Sequence, residues 1–219
     1  MDLLISSWNF AIGYTDRIIE YTYNHFSLLL TVIVISLVMW VSVGIIINRY
    51  ERLAGPVIGL GNILFCVPSI SFFGLFITIP ALGLGRTSAT LALVIYSMMP
   101  LVRNVYRGLK SVDRSVLESG QGMGMSKCQI MTKIQLPIAL PVIFAGVRVT
   151  VVMLTGIATM ATYIGERNLG RLLHHGIARS NAEMIITGAV IVSIIALLLD
   201  YIFGKIEEKL TSPGLRYRS

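Results

Sequence analysis

Five long apolar segments, separated by polar stretches or by glycine and proline, dominate the hydrophobic pattern of the chain. A helix needs roughly 20 apolar residues to cross the hydrocarbon core of a bilayer, so each segment predicts one membrane span. The predicted spans are Phe26–Ile47, Leu53–Ile79, Ser88–Tyr106, Pro141–Ile164 and Met184–Phe203. The mixed segment before the first span, Gly13–His25, predicts an interfacial helix. This pattern is typical of an all-α integral membrane protein with five transmembrane helices.

The composition leads to the same fold class. The 219 residues are 55% hydrophobic and 13% charged, and the mean hydropathy is +0.78, which excludes an ordinary soluble domain. We expect an extracytoplasmic or interfacial segment of residues 1–25, a transmembrane domain of residues 26–205 and a cytoplasmic tail of residues 206–219.

The distribution of charge across the predicted spans indicates their orientation. With the C-terminus in the cytoplasm, the cytoplasmic side holds all of the 18 basic residues except Arg17, Arg86, Arg167, Arg171 and Arg179. The acidic residues divide almost evenly, so the net charge of +7 is confined to the cytoplasmic side, as the positive-inside rule requires. We therefore expect a multi-pass protein of the cell membrane with its N-terminus outside. The same distribution argues against a nucleic-acid partner.

A polar, glycine-rich stretch between the third and fourth spans predicts two short cytoplasmic helices. Asp113 is placed to cap the first helix, and Gly122 and Gly124 predict its end. Ser126 and Gln129 have the spacing of a capping box for a second helix. That helix is expected to end near residue 135, just before the fourth span. We call residues 111–137 the coupling loop.

The coupling loop resembles the EAA loop of permeases from ATP-binding-cassette importers. The positions that carry the resemblance are Glu118, Ser119, Gly120, Gly122, Gly124, Ile134, Leu136 and Pro137. Ser119 and Gly120 stand where the family pattern has two alanines, and both remain small. In that family the loop docks into a separate ATPase subunit, so the resemblance implies that these residues and Asp113 couple the chain to ATP hydrolysis. The phosphate-binding pattern GxxxxGK[ST] is absent, and we expect this chain to bind no ATP itself.

Further segments resemble permeases of quaternary-amine osmoprotectant importers, which carry glycine betaine, carnitine and choline. They are VPS followed by FFGLF, PALGLGRT, YSMMPLVRN, GMGMS, LPxALPVIFAGVR and IATMATYIGERNLG, and the resemblance covers roughly residues 50–205. It implies the small type I importer fold and an alternating-access mechanism.

The resemblance also implies several partners. They are a second permease subunit, two cytoplasmic ATPase subunits that bind ATP and magnesium, and a separate extracytoplasmic substrate-binding protein, all working at the lipid bilayer. A related second permease is favoured over a second copy of this chain. The chain itself is expected to bind no cofactor or metal and to catalyse no reaction.

One outer segment departs from the similar permeases. Glu166, Arg167 and Asn168 stand where those proteins usually carry small residues. Together with Arg86, they are expected to contact the binding protein or the partner subunit.

Several residues are candidates for the translocation path. Thr155, Thr159 and Thr162 recur at helical spacing, which predicts either a path-lining face or close helix packing. Pro68, followed by Ser69, predicts a bend that serves as a gate hinge or as a static kink.

Arg148 is expected near the cytoplasmic headgroups. There it either snorkels to the headgroups or pairs with Asp200 or a loop acid, or it takes part in the inner gate.

Three other functions fit parts of the sequence. A methionine importer permease would share the coupling loop. A gated channel would conduct without ATP, and a membrane receptor would report occupancy of a binding protein without accumulating substrate.

Overall fold

The computed structural model describes residues 2–211 as helices joined by short turns, with no β-strand in that range. In chain order the α-helices are α1 (Asp2–Gly13), α2 (Thr15–Ser36), α3 (Ser42–Arg49), α4 (Ala54–Cys66), α5 (Ser69–Ile77), α6 (Arg86–Tyr96), α7 (Met98–Lys110), α8 (Arg114–Gly122), α9 (Lys127–Ile130), α10 (Leu136–Ala158), α11 (Gly170–Ala178) and α12 (Ala182–Leu210). Leu37–Val41 and Met131–Gln135 are π-helical, and Glu51–Leu53 and Thr159–Ile164 are 3₁₀-helical.

Among the described residues, four helical runs are long and apolar enough to cross a membrane. They are Thr15–Arg49, Arg86–Lys110, Lys127–Ile164 and Ala182–Leu210. The helices Glu51–Cys66 and Ser69–Ile77 form a fifth candidate span, but they are bent by 90° at a short break. The predicted number of five spans is therefore confirmed when the bent pair counts as one.

The second predicted span, Leu53–Ile79, is broken near Pro68, where the sequence predicted a bend within one helix. Helix α4 ends at Cys66, and Pro68 adopts extended backbone angles (φ −55°, ψ 133°) before α5 begins. Proline lacks an N–H and disfavours a helical residue before it, so the chain breaks here rather than bending within one helix. The Tyr96 hydroxyl donates a hydrogen bond to the Val67 carbonyl across 3.2 Å, which satisfies a backbone group that the break leaves free.

The N-terminal helices begin and end at different residues from those predicted. The separate N-terminal helix is α1, and α2 begins at Thr15 and continues into the first span. Most of Gly13–His25 is thus the first part of the spanning run. At the other end, α12 continues to Leu210, and the rest of the predicted tail lies outside the described residues except for Thr211.

The chain divides into two compact units. Unit 1 comprises Met1–Ile35, Cys66–Tyr96 and Val151–Leu198, and unit 2 comprises Ser36–Phe65, Ser97–Thr150 and Leu199–Ser219. Large apolar side chains are fully buried in each: Leu28, Phe73, Leu93, Leu154 and Leu172 in unit 1, and Ile47, Leu101 and Leu109 in unit 2.

Glycines allow the helices of unit 2 to approach one another closely. A Cβ at Gly44 of α3 would lie 2.5 Å from Val105 Cγ1 of α7, and a Cβ at Gly108 of α7 would lie 3.1 Å from the Ala139 carbonyl oxygen of α10. Such small-residue contacts are typical of helix packing in membranes. They place α7 between α3 and α10, and the coupling loop connects α7 to α10.

Candidate functional site

The first helix of the coupling loop starts as the sequence predicted. The Asp113 carboxylate accepts a hydrogen bond from the Ser115 backbone N–H across 2.9 Å and so caps α8. This bond stabilises the charged form and holds the pKa of Asp113 below its usual value. One turn into the helix, Glu118 is exposed and forms an ion pair with Arg114 at 2.8 Å.

The turn after α8 also follows the prediction. Helix α8 ends at Gly122, and Gly124 has a φ of +79°, a conformation that favours glycine. The capping box is present beyond it: the Gln129 N–H donates to the Ser126 hydroxyl at 3.3 Å, and the Ser126 N–H donates to Gln129 Oε1 at 2.7 Å.

The second short helix differs from the prediction because it does not end before the fourth span. Helix α9 passes through the π-helical turn Met131–Gln135 into α10, so that Lys127–Ile164 is one helical run. Leu136 and Pro137 lie in the first turn of α10. A movement of α9 can therefore pass along the helix into the span.

Two positions of the EAA-like pattern meet in the structure. Gly120 is buried, and a Cβ built on it would lie 2.9 Å from Ile134 Cδ1. The small residue at position 120 thus lets α8 pack against the turn that leads into α10. Ser119, beside it, donates its hydroxyl to the Ser115 carbonyl at 2.8 Å.

The outer surface of the coupling loop combines apolar and charged groups. Met123 is 74% exposed and Val116 is 40% exposed, and Glu118 lies on the same short helix as Val116. Exposed methionine is well suited to an adaptable protein interface.

A side-chain contact that sequence reasoning missed fixes the base of the loop. Gln135 Nε2 donates a hydrogen bond to the Leu109 carbonyl at 3.2 Å, which joins the π-helical turn to the end of α7. Lys110, next to Leu109, pairs with Glu51 at 2.8 Å. No local sequence pattern predicts these contacts, since the partners are 26 and 59 residues apart.

Arg148 pairs with Asp200, which confirms the predicted pairing. Its Nε and Nη2 atoms each lie 2.9 Å from one carboxylate oxygen of Asp200, a two-bond arrangement that fixes orientation. Glu207 lies 3.5 Å from Nη1 and was not foreseen. Its spacing of seven residues from Asp200 on α12 places both acids on one helix face and is a signal that the sequence does contain.

The predicted threonine face is not a single surface. Thr155 is fully buried, and its hydroxyl donates to the Val151 carbonyl at 2.8 Å. Helix α10 ends at Ala158, and Thr159 and Thr162 lie in the 3₁₀ turn, where the periodicity differs. Thr155 therefore packs within unit 1, as the close-packing alternative predicts, and its role in a path stays untested.

The residues at the broken span lie near the same 3₁₀ turn. The Ser69 hydroxyl donates to Met160 Sδ at 3.3 Å, which links the start of α5 to this turn in unit 1. Pro68 itself is exposed.

The segment of residues 166–168 has both buried and exposed members. Asn168 is fully buried; its Nδ2 donates to the Ala158 carbonyl at 2.7 Å, and its Oδ1 accepts from the Gly170 N–H at 2.8 Å. Asn168 thus holds the loop in place, and the expectation that it contacts a binding protein stays a prediction. Glu166 is also buried, whereas Arg167 is exposed and lies 3.8 Å from Glu20.

The coupling loop and most of the candidate spans lie in a segment that matches a known family of membrane proteins. The model of the family described as "Binding-protein-dependent transport system inner membrane component" matches residues 40–212. The chain belongs to this family. The matched residues include the coupling loop and the last four candidate spans. Members of the family are membrane components of transporters rather than catalytic enzymes.

Curated members of the family are similar over most of their length. The choline transport system permease protein OpuBB of Bacillus subtilis (strain 168) is 38% identical over 195 residues, which are 89% of each chain. The glycine betaine/carnitine/choline transport system permease protein OpuCB of the same organism is also 38% identical, with the same coverage.

A solved structure shows the same fold. It is described as an inward-facing conformation of the MetNI methionine ABC transporter; its TM-score is 0.82, and the match covers 91% of this chain and 99% of that chain at 20% identity. The fold is that of the type I importer permeases.

Proposed function

We propose that this chain is the permease subunit of an ATP-driven importer that takes up quaternary-ammonium osmoprotectants. The main support for the proposal is the structure of the coupling loop. Helix α8 packs through Gly120 onto Ile134, and the π-helical turn that contains Ile134 is continuous with the fourth span. The names of the relatives support the substrates glycine betaine, carnitine and choline.

The mechanism is alternating access. A partner ATPase binds ATP and magnesium, docks on the exposed surface of α8 and moves the coupling loop when it closes. Because Lys127–Ile164 is one helical run, the movement reaches the fourth span without an intervening flexible joint. The Gln135–Leu109 hydrogen bond transmits it to α7 as well.

The partners follow from this mechanism. The complex contains two permease subunits, two ATPases in the cytoplasm and a binding protein outside, with a related second permease favoured over a second copy of this chain. The charge distribution supports a cytoplasmic C-terminus, and the coupling loop then lies on the side where ATP is available.

The test is uptake of labelled glycine betaine, carnitine and choline by vesicles that hold the whole complex. ATP is supplied or withheld on the ATPase side, and a Gly124→Trp variant is measured in parallel. Gly124 has a φ of +79°, so a side chain there strains the turn between α8 and α9.

We expect accumulation that requires ATP and that the variant loses. Flux that does not require ATP would indicate a channel instead. ATP-dependent accumulation of methionine but of none of the three amines would contradict the substrate assignment and leave the importer class intact.

A further inference from the structure

The outer loop that begins after Ile164 contains a buried carboxylate with no role in the mechanism above. Glu166 is only 8% exposed, and no basic side chain among residues 2–211 comes within 4 Å of its carboxylate. Burial raises the pKa of Glu166, and the positive charge of Arg86 acts in the opposite direction. A largely buried residue whose carboxylate has no ion-pair partner among the described residues is available to bind a charged ligand.

The backbone brings Arg86 to the same place. The Gly85 N–H donates to the Ile164 carbonyl at 2.8 Å, which joins the turn before α6 to the end of the 3₁₀ turn. Gly85 and Gly165 have φ values of +94° and +93°, so both chain reversals depend on glycine. Arg86 and Glu166 each follow directly on one of these glycines.

The neighbouring charges are already paired. Glu20, which is partly buried, lies 3.8 Å from the exposed Arg167 and 3.4 Å from the exposed Arg17. Arg86 donates one hydrogen bond from Nη2 to the Ser27 hydroxyl at 2.7 Å. A guanidinium has five N–H groups, so this contact orients Arg86 and leaves donors for a ligand.

We propose that Glu166 and Arg86 bind the two charged ends of a zwitterionic substrate during transport. The Glu166 carboxylate faces the quaternary ammonium, which has no N–H and is attracted by charge alone, most strongly where water is excluded. The Arg86 guanidinium binds the substrate carboxylate through paired hydrogen bonds. This assignment rests on the proposed function.

The assignment separates the substrates by their chemistry. Glycine betaine and carnitine carry both an ammonium and a carboxylate, whereas choline carries only the ammonium. Arg86 should therefore matter for the first two substrates alone, and Glu166 should matter for all three.

The experiment measures maximal uptake of each substrate by vesicles that hold the whole complex, with saturating binding protein and ATP. The variants are Arg86→Gln, Arg86→Lys and Glu166→Gln, and Arg17→Gln is the control because it removes a nearby exposed arginine. ATP hydrolysis by each complex reports assembly.

Arg86→Gln should lower uptake of glycine betaine and carnitine by about tenfold or more and leave choline uptake within about twofold. Arg86→Lys should restore part of the loss, Glu166→Gln should lower uptake of all three substrates, and Arg17→Gln should change none. Equal losses for all three substrates in Arg86→Gln, or unchanged uptake in Glu166→Gln, would overturn the assignment. Choline uptake by Arg86→Gln itself shows that this variant folds.

The wild-type complex distinguishes the two proposals. If it accumulates none of the three amines, the proposed function fails and the assignment fails with it. If it accumulates them but the variants do not separate zwitterions from choline, only the assignment fails. Accumulation of choline alone would also contradict the assignment, since no zwitterion would be carried.

Discussion

The Ser97 hydroxyl donates a hydrogen bond to the Ser36 hydroxyl across 2.7 Å, and both side chains are almost completely buried. Ser36 immediately precedes the π-helical segment Leu37–Val41, and Ser97 lies between α6 and α7. The bond therefore joins the first and third candidate spans where both depart from regular α-helix. Single π-helical turns inside helices occur frequently at functional sites.

We expect Ser97→Ala to lower the free energy of unfolding by about 1 kcal/mol, because it removes a buried hydrogen bond. In a double-mutant cycle with Ser36→Ala, the coupling energy should be about 0.6 kcal/mol, as for hydrogen bonds between membrane helices. The measurement is reversible unfolding of the purified permease by detergent. Ser42→Ala, at an exposed serine that bonds only its own helix, is the control. A coupling energy of zero would mean that the serine pair contributes nothing.

Gly170 and Gly156 should respond oppositely to the same substitution. A Cβ at Gly170 would overlap the carbonyl oxygen of Thr159, a backbone atom that cannot rotate away. Gly170→Ala should therefore destabilise the permease by about 1–3 kcal/mol. Gly156 has open space around it, so Gly156→Ala should leave stability unchanged or raise it by up to about 1 kcal/mol.

The measurement is the thermal unfolding midpoint of each purified variant. Similar midpoints for the two variants would show that the segment around Gly170 is less closely packed than these contacts indicate.

Larger side chains at Gly120 should uncouple transport from ATP hydrolysis. The one close approach of a Cβ at this position is to the end of the flexible Ile134 side chain, so Gly120→Ala should be mild. Gly120→Leu should push α8 away from Ile134. Because small displacements of residues that must be precisely placed lower activity strongly, we expect uptake to fall by at least about tenfold. ATP hydrolysis by the complex should persist.

Removing the obstructing side chain should restore function in part. The double variant Gly120→Leu with Ile134→Ala makes room for the leucine, and we expect its uptake to exceed that of Gly120→Leu alone. If the double variant is no better, the Gly120–Ile134 contact is not what the leucine disturbs.

The cap at Asp113 should depend on pH. Because the hydrogen bond from Ser115 lowers its pKa in the folded state, its stabilising effect on α8 is complete above the ordinary aspartate pKa. The effect is lost as the pH falls through the lower folded-state value. The Ser115 amide resonance in ¹⁵N-serine-labelled permease should titrate at that lower pH.

Asparagine at position 113 separates capping from titration. Asp113→Asn retains a good capping side chain, so its Ser115 resonance should stay near the wild-type position and show no titration. A wild-type midpoint at or above the ordinary aspartate value would contradict the hydrogen-bonded cap.

The capping contacts of the coupling loop could be predicted from the sequence alone. Asp113 caps through a residue two positions away, and Ser126 and Gln129 cap each other three positions apart. Partners this close are set by the chain itself, so their spacing was enough to predict the contacts. The continuation of α9 into α10 was missed because a π-helical turn has no distinct sequence pattern.

The break in the second span could be predicted only in part from the sequence. Pro68 predicted a disturbance, because proline removes a backbone donor wherever it stands. A 90° break rather than a kink is stabilised by Tyr96, whose hydroxyl reaches Val67 from 29 residues away. The partner that satisfies the freed carbonyl comes from another helix, and no local pattern specifies it.

The sequence by itself determined the number of spans, the coupling loop and the family resemblance, because apolar length, capping chemistry and motif spacing are local properties of the chain. Only the tertiary structure decided which polar residues are accessible. Thr155 and Asn168 are buried, and Glu166 is nearly so while Arg167 remains exposed. Helical spacing says which residues share a face, but only packing against other helices decides whether that face meets protein, lipid or substrate.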